Sequence, residues 1–292
     1  MKLALGTVQF GLTYGIANQS GQLSLGQAGE VVALACANGI ADLDTAIAYG
    51  DAEARLGQIG VQGFRVVTKL PPLPDALPIG VTDAGIWAKA HLAASLQRLG
   101  VSAVYGLLLH RSADLLSHHG KALLNALQDL RAEGVVQKLG VSIYAPDELE
   151  ILMPLGRWDL VQAPFNLIDR RLQTSGWLQR LKDSEVEVHT RSAFLQGLLL
   201  APANALPAKF SEWTGLWQTW DQWQLATGFS ALSACLAFAQ SFPEVDRVVV
   251  GVDGPEHLRG VLAALRAPAP QHWPDIACDD EKLVNPSRWT EL

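Results

Sequence analysis

Eight times along this chain a short apolar run is followed by a stretch whose apolar residues fall at helical spacing. That alternation limits the possible folds more than any other feature. The runs start at Leu3, Ile40, Arg65, Val104, Val136, Asp159, Val186 and Val245. Strands that are apolar throughout need cover on both faces, the condition of parallel strands joined by helical crossovers. The helical stretches include Val31, Val32, Leu34 and Ala35, then Leu92, Leu96 and Leu99, then Leu123, Leu127 and Leu130, and finally Leu258, Val261, Leu262 and Leu265. A doubly wound open sheet would carry a G-x-G-x-x-G phosphate loop after its first strand. Gly6-Thr7-Val8-Gln9-Phe10-Gly11 lacks that spacing and reads as part of a first strand running from Leu3 to Gly11. The expected fold is therefore α/β: a (β/α)8 TIM barrel, a single domain over residues 1–292, close to the ~250 residues typical of such barrels.

Two segments fall outside the rhythm. Residues 193–227, after the seventh strand, carry Trp213, Trp217, Trp220 and Trp223 at helical spacing. The stripe reads either as a lid helix packed on the barrel or as a substrate wall, because long loops on this rim carry specificity. Residues 267–292 have no clear period and read as a covering tail. A net charge of −7 argues against nucleic-acid and anionic-membrane partners, which want basic surface. No apolar run approaches the ~20 residues of a membrane span, and the N-terminus does not form a signal h-region. Cys36, Cys235 and Cys278 show no paired spacing, as expected of free thiols in a reducing compartment. The expectation is a soluble cytoplasmic protein. His118-His119 has no ligand partner at metal spacing, and no metal site is expected.

In a parallel barrel the carboxyl ends of the strands form the functional rim. Asp44 ends strand 2, Tyr49 follows in the loop, Lys69 ends strand 3 and His110 ends strand 4. Each residue alone has a plain reading: Asp44 as a turn former, Lys69 as a solvated charge, His110 and Tyr49 as packing. Together they place four ionisable groups on one rim.

The stretch from Gly39 to Gly57 reads G-x-x-x-x-D-T-A-x-x-Y-G-x-x-E-x-x-L-G. It resembles the signature of the aldo-keto reductases. The resemblance implies that Asp44, Tyr49, Lys69 and His110 form a catalytic tetrad for nicotinamide-dependent carbonyl reduction. Reduction needs a hydride at carbon and a proton at oxygen. A tyrosine with its usual pKa of about 10 is a reluctant acid. Lys69 would favour the phenolate, Asp44 would hold Lys69, and His110 would polarise the carbonyl. The resemblance also implies that Gly6 and Thr7 meet the nicotinamide ribose. Ser142 and Gln162 would take the carboxamide, with Ile143 where the family has Asn and Asn166 as a substitute. Arg191 stands where the family stacks an aromatic on the nicotinamide, and a planar guanidinium also stacks. It is followed by Ser192, and Gly197 and Leu198 would approach the pyrophosphate through backbone groups. Gly251, Val252, Asp253 and His257 resemble the phosphate-binding loop at a helix start. The resemblance favours NADP(H), with NAD(H) the other option, because the usual basic residues for a 2′-phosphate are missing. The substrate class implied is a small carbonyl compound, with a sugar-derived one suggested by the opening Gly-Thr-Val-Gln-Phe-Gly and by Arg191-Ser192. Two other readings stay open. One is a nicotinamide-binding sensor or partner subunit with little turnover. The other is a barrel isomerase or lyase using Lys69 as a Schiff base.

Overall fold

The computed structural model describes residues 2–16, 18, 20–78 and 83–292. Eight parallel strands close into a barrel in sequence order: β1 Leu3–Gly6, β2 Asp42–Asp44, β3 Arg65–Leu70, β4 Val104–Leu109, β5 Val136–Ser142, β6 Leu160–Pro164, β7 Glu187–Arg191 and β8 Arg247–Gly251. Closure is made by β1 beside β8, where Leu3 pairs with Val248 and Gly6 with Gly251. The helices between them include Leu25–Ala37, Ala52–Ile59, Ala84–Leu99, Gly120–Ala132, Trp177–Asp183, Ala231–Gln240 and Pro255–Ala264. This is the (β/α)8 TIM barrel expected from the alternation.

The first strand is shorter than its apolar run. It stops at Gly6 because Thr7 turns the chain over β2, its amide and its Oγ1 both donating to the Asp44 carbonyl at 3.0 and 2.9 Å. Val8–Gly11 then coils into one helical turn. Gly11 packs straight onto the loop that holds Tyr49, for a Cβ there would lie 1.8 Å from the Tyr49 carbonyl oxygen. Only glycine permits that approach.

Local chemistry sets the helix ends. Ser24 and Gln27 form a reciprocal capping box at the start of Leu25–Ala37. Gly100, in the left-handed region, closes Ala84–Leu99. The signature residues Glu53 and Gly57 belong to this framework. Buried Glu53 accepts from Thr68 Oγ1 and Ser95 Oγ, both at 2.6 Å, and from Arg98 Nε and Nη2 at 2.9 and 2.6 Å. It ties its own helix to β3 and to Ala84–Leu99. Gly57 lets the two helices touch, since a Cβ there would sit 2.0 Å from the Arg98 carbonyl oxygen.

The main core lies between barrel and helices, and Val67, Leu108 and Leu160 with Tyr105 make a separate apolar cluster. At the amino ends of the strands Asp42 Oδ2 accepts from Arg65 at 2.7 Å and Arg247 at 2.6 Å, bracing β2, β3 and β8. Glu187 nearby takes Tyr105 Oη at 2.7 Å and Lys138 Nζ at 2.8 Å. After β7 come three short 3-10 segments and the helix Thr214–Thr227. Trp217 and Trp220 are buried there, their indole N–H groups donating to the Phe210 and Leu199 carbonyls, both at 3.1 Å. The tail packs against this region through Trp289, edge-on to Phe210 at 4.9 Å. Among the described residues no helix is long and apolar enough to cross a membrane.

Candidate active site

A cavity of about 350 Å³ opens at the carboxyl ends of the strands. Asp44, Tyr49 and His110 line it. Lys69 lies beneath and is fully buried. Its Nζ donates to Asp44 Oδ1 at 2.7 Å and to the Thr45 carbonyl at 2.8 Å. Gln162 Nε2 donates to the other Asp44 oxygen at 2.6 Å. Both carboxylate oxygens are thereby held, one from β3 and one from β6. The Tyr49 ring stands 5.2 Å from Lys69 Nζ and meets the His110 ring edge-on at 5.8 Å. The four residues singled out from the sequence thus come together.

The electrostatics differ from the expectation in one respect. Burial pushes the Tyr49 hydroxyl above its ordinary pKa, Asp44 adds to the rise, and Arg191 opposes it. The expected lowering by Lys69 is absent because Lys69 is committed to Asp44 and Thr45 and is itself held below the usual lysine range by burial. His110 is lowered to about 4, first by burial and then by the positive charges of Lys69 and Arg191. At neutral pH the site therefore holds a protonated phenol beside an uncharged imidazole.

Of the residues assigned to a nicotinamide cofactor by resemblance, Gly6, Thr7, Ser142, Gln162, Arg191, Ser192, Gly197, Gly251, Asp253 and His257 line the same cavity. The Leu198 and Val252 side chains are buried in the core instead. Asn166 is already engaged: its Nδ2 donates to the Ser192 carbonyl at 3.0 Å, and its Oδ1 accepts from the Ile168 and Asp169 amides, both at 2.9 Å. It braces its own loop and does not line the cavity. Arg191 stacks its guanidinium on the Tyr144 ring at 4.7 Å and donates to the Ile143 carbonyl at 2.9 Å.

Sequence reasoning passed over Gln9, Asn18, Tyr144 and Gln196, all of which line the cavity. They lie in loops or in turns too short to carry a periodic signal. Gln196 closes a strap across the mouth: its carbonyl accepts from the Ile16 amide at 3.1 Å, and its Nε2 donates to Tyr14 Oη at 3.2 Å. Ser192, Leu195 and Gln196 all adopt positive φ, at 62°, 47° and 54°. Such conformations cost about 1–3 kcal/mol each and gather where surrounding structure enforces a functional shape. None of the four tryptophans of the segment after β7 lines the cavity.

A closed parallel barrel with ionisable groups on its carboxyl rim defines a class of barrel-end site, and comparison with known proteins gives the class its family. The Aldo/keto reductase family model matches residues 2–273. The chain belongs to that family. A curated relative, the NADH-specific methylglyoxal reductase of Escherichia coli strain K12, is 25% identical over 192 residues, which is 61% of this chain and 59% of that protein. The match thus spans less than two thirds of that relative's length. The holo form of an aldo-keto reductase from Bacillus halodurans superposes with a TM-score of 0.73 at 19% identity, covering 92% of this chain and 88% of that one. That likeness concerns the fold. Family membership supports nicotinamide-dependent carbonyl reduction as the general class of reaction.

Proposed function

We propose that this chain reduces an aldehyde or ketone to an alcohol at the expense of a reduced nicotinamide cofactor, with Tyr49 as the proton donor. The observation that carries the reading is the Lys69–Asp44 pair, locked at 2.7 Å beside Tyr49, with Asp44 and Tyr49 both lining one cavity. Three features of the lining suit the nicotinamide end of such a cofactor. Gly6 and Gly251 lie side by side in register and leave a floor of bare backbone. A Cβ on Gly251 would come within 2.5 Å of Gln9 Oε1, so a side chain there would fill the cradle. Gln162 uses its amide N–H on Asp44 and keeps its oxygen for a donor such as a carboxamide.

The nicotinamide, when bound, supplies the hydride to the carbonyl carbon. Tyr49 gives its hydroxyl proton to the carbonyl oxygen as that oxygen becomes an alkoxide. Its raised pKa keeps the proton in place until then. His110, uncharged, hydrogen-bonds the same oxygen and orients the carbonyl. Asp44 and Lys69 hold the floor beneath Tyr49, and the strap through Gln196 limits water. Methylglyoxal, the compound in the name of the Escherichia coli relative, is the first substrate to try, followed by a panel of sugar-derived carbonyls.

The test joins dinucleotide binding, read by fluorescence quenching, with turnover of that panel. Tyr49→Phe is expected to lower kcat by about 10²–10⁴-fold, the usual contribution of a positioned acid. Nucleotide affinity should stay unchanged. Unaltered turnover in that variant would remove Tyr49 from the role. Borohydride trapping of a substrate on Lys69 would point to Schiff-base chemistry instead.

A further inference from the structure

The β8 end of the cavity presents hydrogen-bond acceptors without a matching positive charge. Gln9 is more than nine-tenths buried, and its Oε1 has no hydrogen-bond partner. Its Nε2 faces Asp253 Oδ1 at 3.4 Å, and Asn18 Nδ2 reaches the same oxygen at 3.4 Å. Asp253 Oδ2 accepts no hydrogen bond among the described residues, with His257 Nδ1 3.9 Å away.

The nearby groups able to carry positive charge are engaged within the protein. His257 turns its Nδ1 to Asp253 itself, 3.3 Å from the amide and 3.9 Å from Oδ2. Arg259, one turn into the helix Pro255–Ala264, is paired with Glu256. Among the described residues that line the cavity there is no lysine, and the one arginine, Arg191, is stacked on Tyr144.

An unpartnered carboxamide oxygen beside a carboxylate asks for hydrogen-bond donors. A sugar diol has two. A phosphate monoester at neutral pH has almost none and brings close to two negative charges. The N–H groups at the start of Pro255–Ala264 suit the diphosphate that both nicotinamide dinucleotides share. Only the 2′-phosphate distinguishes the two, and it would enter a region where Asp253 is negative. We infer that Gln9 and Asp253 form an acceptor pair that reads ribose hydroxyls and repels a phosphate, so that this chain selects NADH over NADPH. The inference rests on the reductase reading and narrows it to one cofactor. It runs against the NADP(H) preference that the resemblance suggested.

The experiment measures equilibrium binding of NADH and NADPH to the purified protein by fluorescence quenching, at low and high salt. The wild type should bind NADH at least about tenfold more tightly, and high salt should narrow the gap, because screening weakens a charge-based rejection. Asp253→Asn, which keeps the shape and removes the charge, should reduce the ratio of the two dissociation constants at least about fivefold at low salt, since it deletes a like-charge repulsion. Gln9→Leu should weaken NADH binding. Thermal melting of each variant checks that it is folded, and Asp253→Ser supplies a second readout if Asp253→Asn melts early. Equal or tighter binding of NADPH by the wild type would overturn the inference, as would an unchanged ratio in both Asp253 variants. Those results would leave the reductase reading standing. Binding of neither dinucleotide at millimolar concentration would overturn both.

Discussion

Asp44 has no carboxylate oxygen left for solvent, and this decides what its neighbours can do. Lys69 takes one oxygen and Gln162 the other. Removing the carboxylate strands a buried ammonium, and breaking a buried pair in this way costs about 3–5 kcal/mol. Asp44→Ala is therefore expected to lower stability and turnover together, measured by urea unfolding and by steady-state rates. His110 behaves differently. Because burial holds its pKa at about 4, it is uncharged above about pH 5, and kcat/KM for reduction should show no acidic limb from His110 between pH 5 and 8. A limb near pH 6.5 would mean that the imidazole titrates as an ordinary one. Asp44, Tyr49, Lys69 and His110 were legible in the sequence because strand ends and a contiguous signature fix their place. Their couplings were not: that Gln162 of β6 would hold the carboxylate of β2 depends on barrel closure, which no local pattern encodes.

At the scale of elements, much of the signature between Gly39 and Gly57 turns out to serve architecture. Glu53 gathers four hydrogen bonds from β3 and the neighbouring helix, and Gly57 allows that helix to lie in contact. Glu53→Ala leaves Arg98, Thr68 and Ser95 without their acceptor, and a loss of about 3–5 kcal/mol is expected in urea denaturation. Dinucleotide affinity of the protein that remains folded should change little, since Glu53 does not line the cavity. The first strand was read too long for a related reason. Val8 and Phe10 are apolar and buried, as strand residues would be, yet the bonds from Thr7 to Asp44 turn the chain first. Apolar character reports burial and leaves the backbone conformation to tertiary contacts. Likewise the tryptophan stripe of Thr214–Thr227 announced a packed helix, while Gln9 and Gln196, in short turns, carried no periodicity to mark them.

Across the whole molecule, the two ends of the barrel do different work. The carboxyl rim holds the candidate chemistry. The amino end holds Asp42 with Arg65 and Arg247, and Glu187 with Lys138, Tyr105 and His189. Burial raises the Glu187 carboxyl, but the His189 ring 3.6 Å away and the contacts from Lys138 and Tyr105 outweigh that and hold it at about 2, against an ordinary 4.5. The folded protein keeps Glu187 ionised while the unfolded chain takes up a proton near 4.5. Its contribution is complete above that pH and is lost as pH falls toward 2. Urea midpoints should therefore drop between pH 5 and 3, and less steeply in Glu187→Gln. Eight alternations in the sequence were enough to announce the barrel, whereas these ring-closing ion pairs join residues as far apart as Asp42 and Arg247 and left no trace in any single stretch.

The seclusion of Lys69 has a practical corollary. An amine with no path to water is also hidden from acylating reagents, so brief acetylation of the native protein should tag exposed Lys121 and spare Lys69. Mass spectrometry of the Lys69 peptide during stepwise denaturant exposure would then time the moment at which the staves of the barrel part.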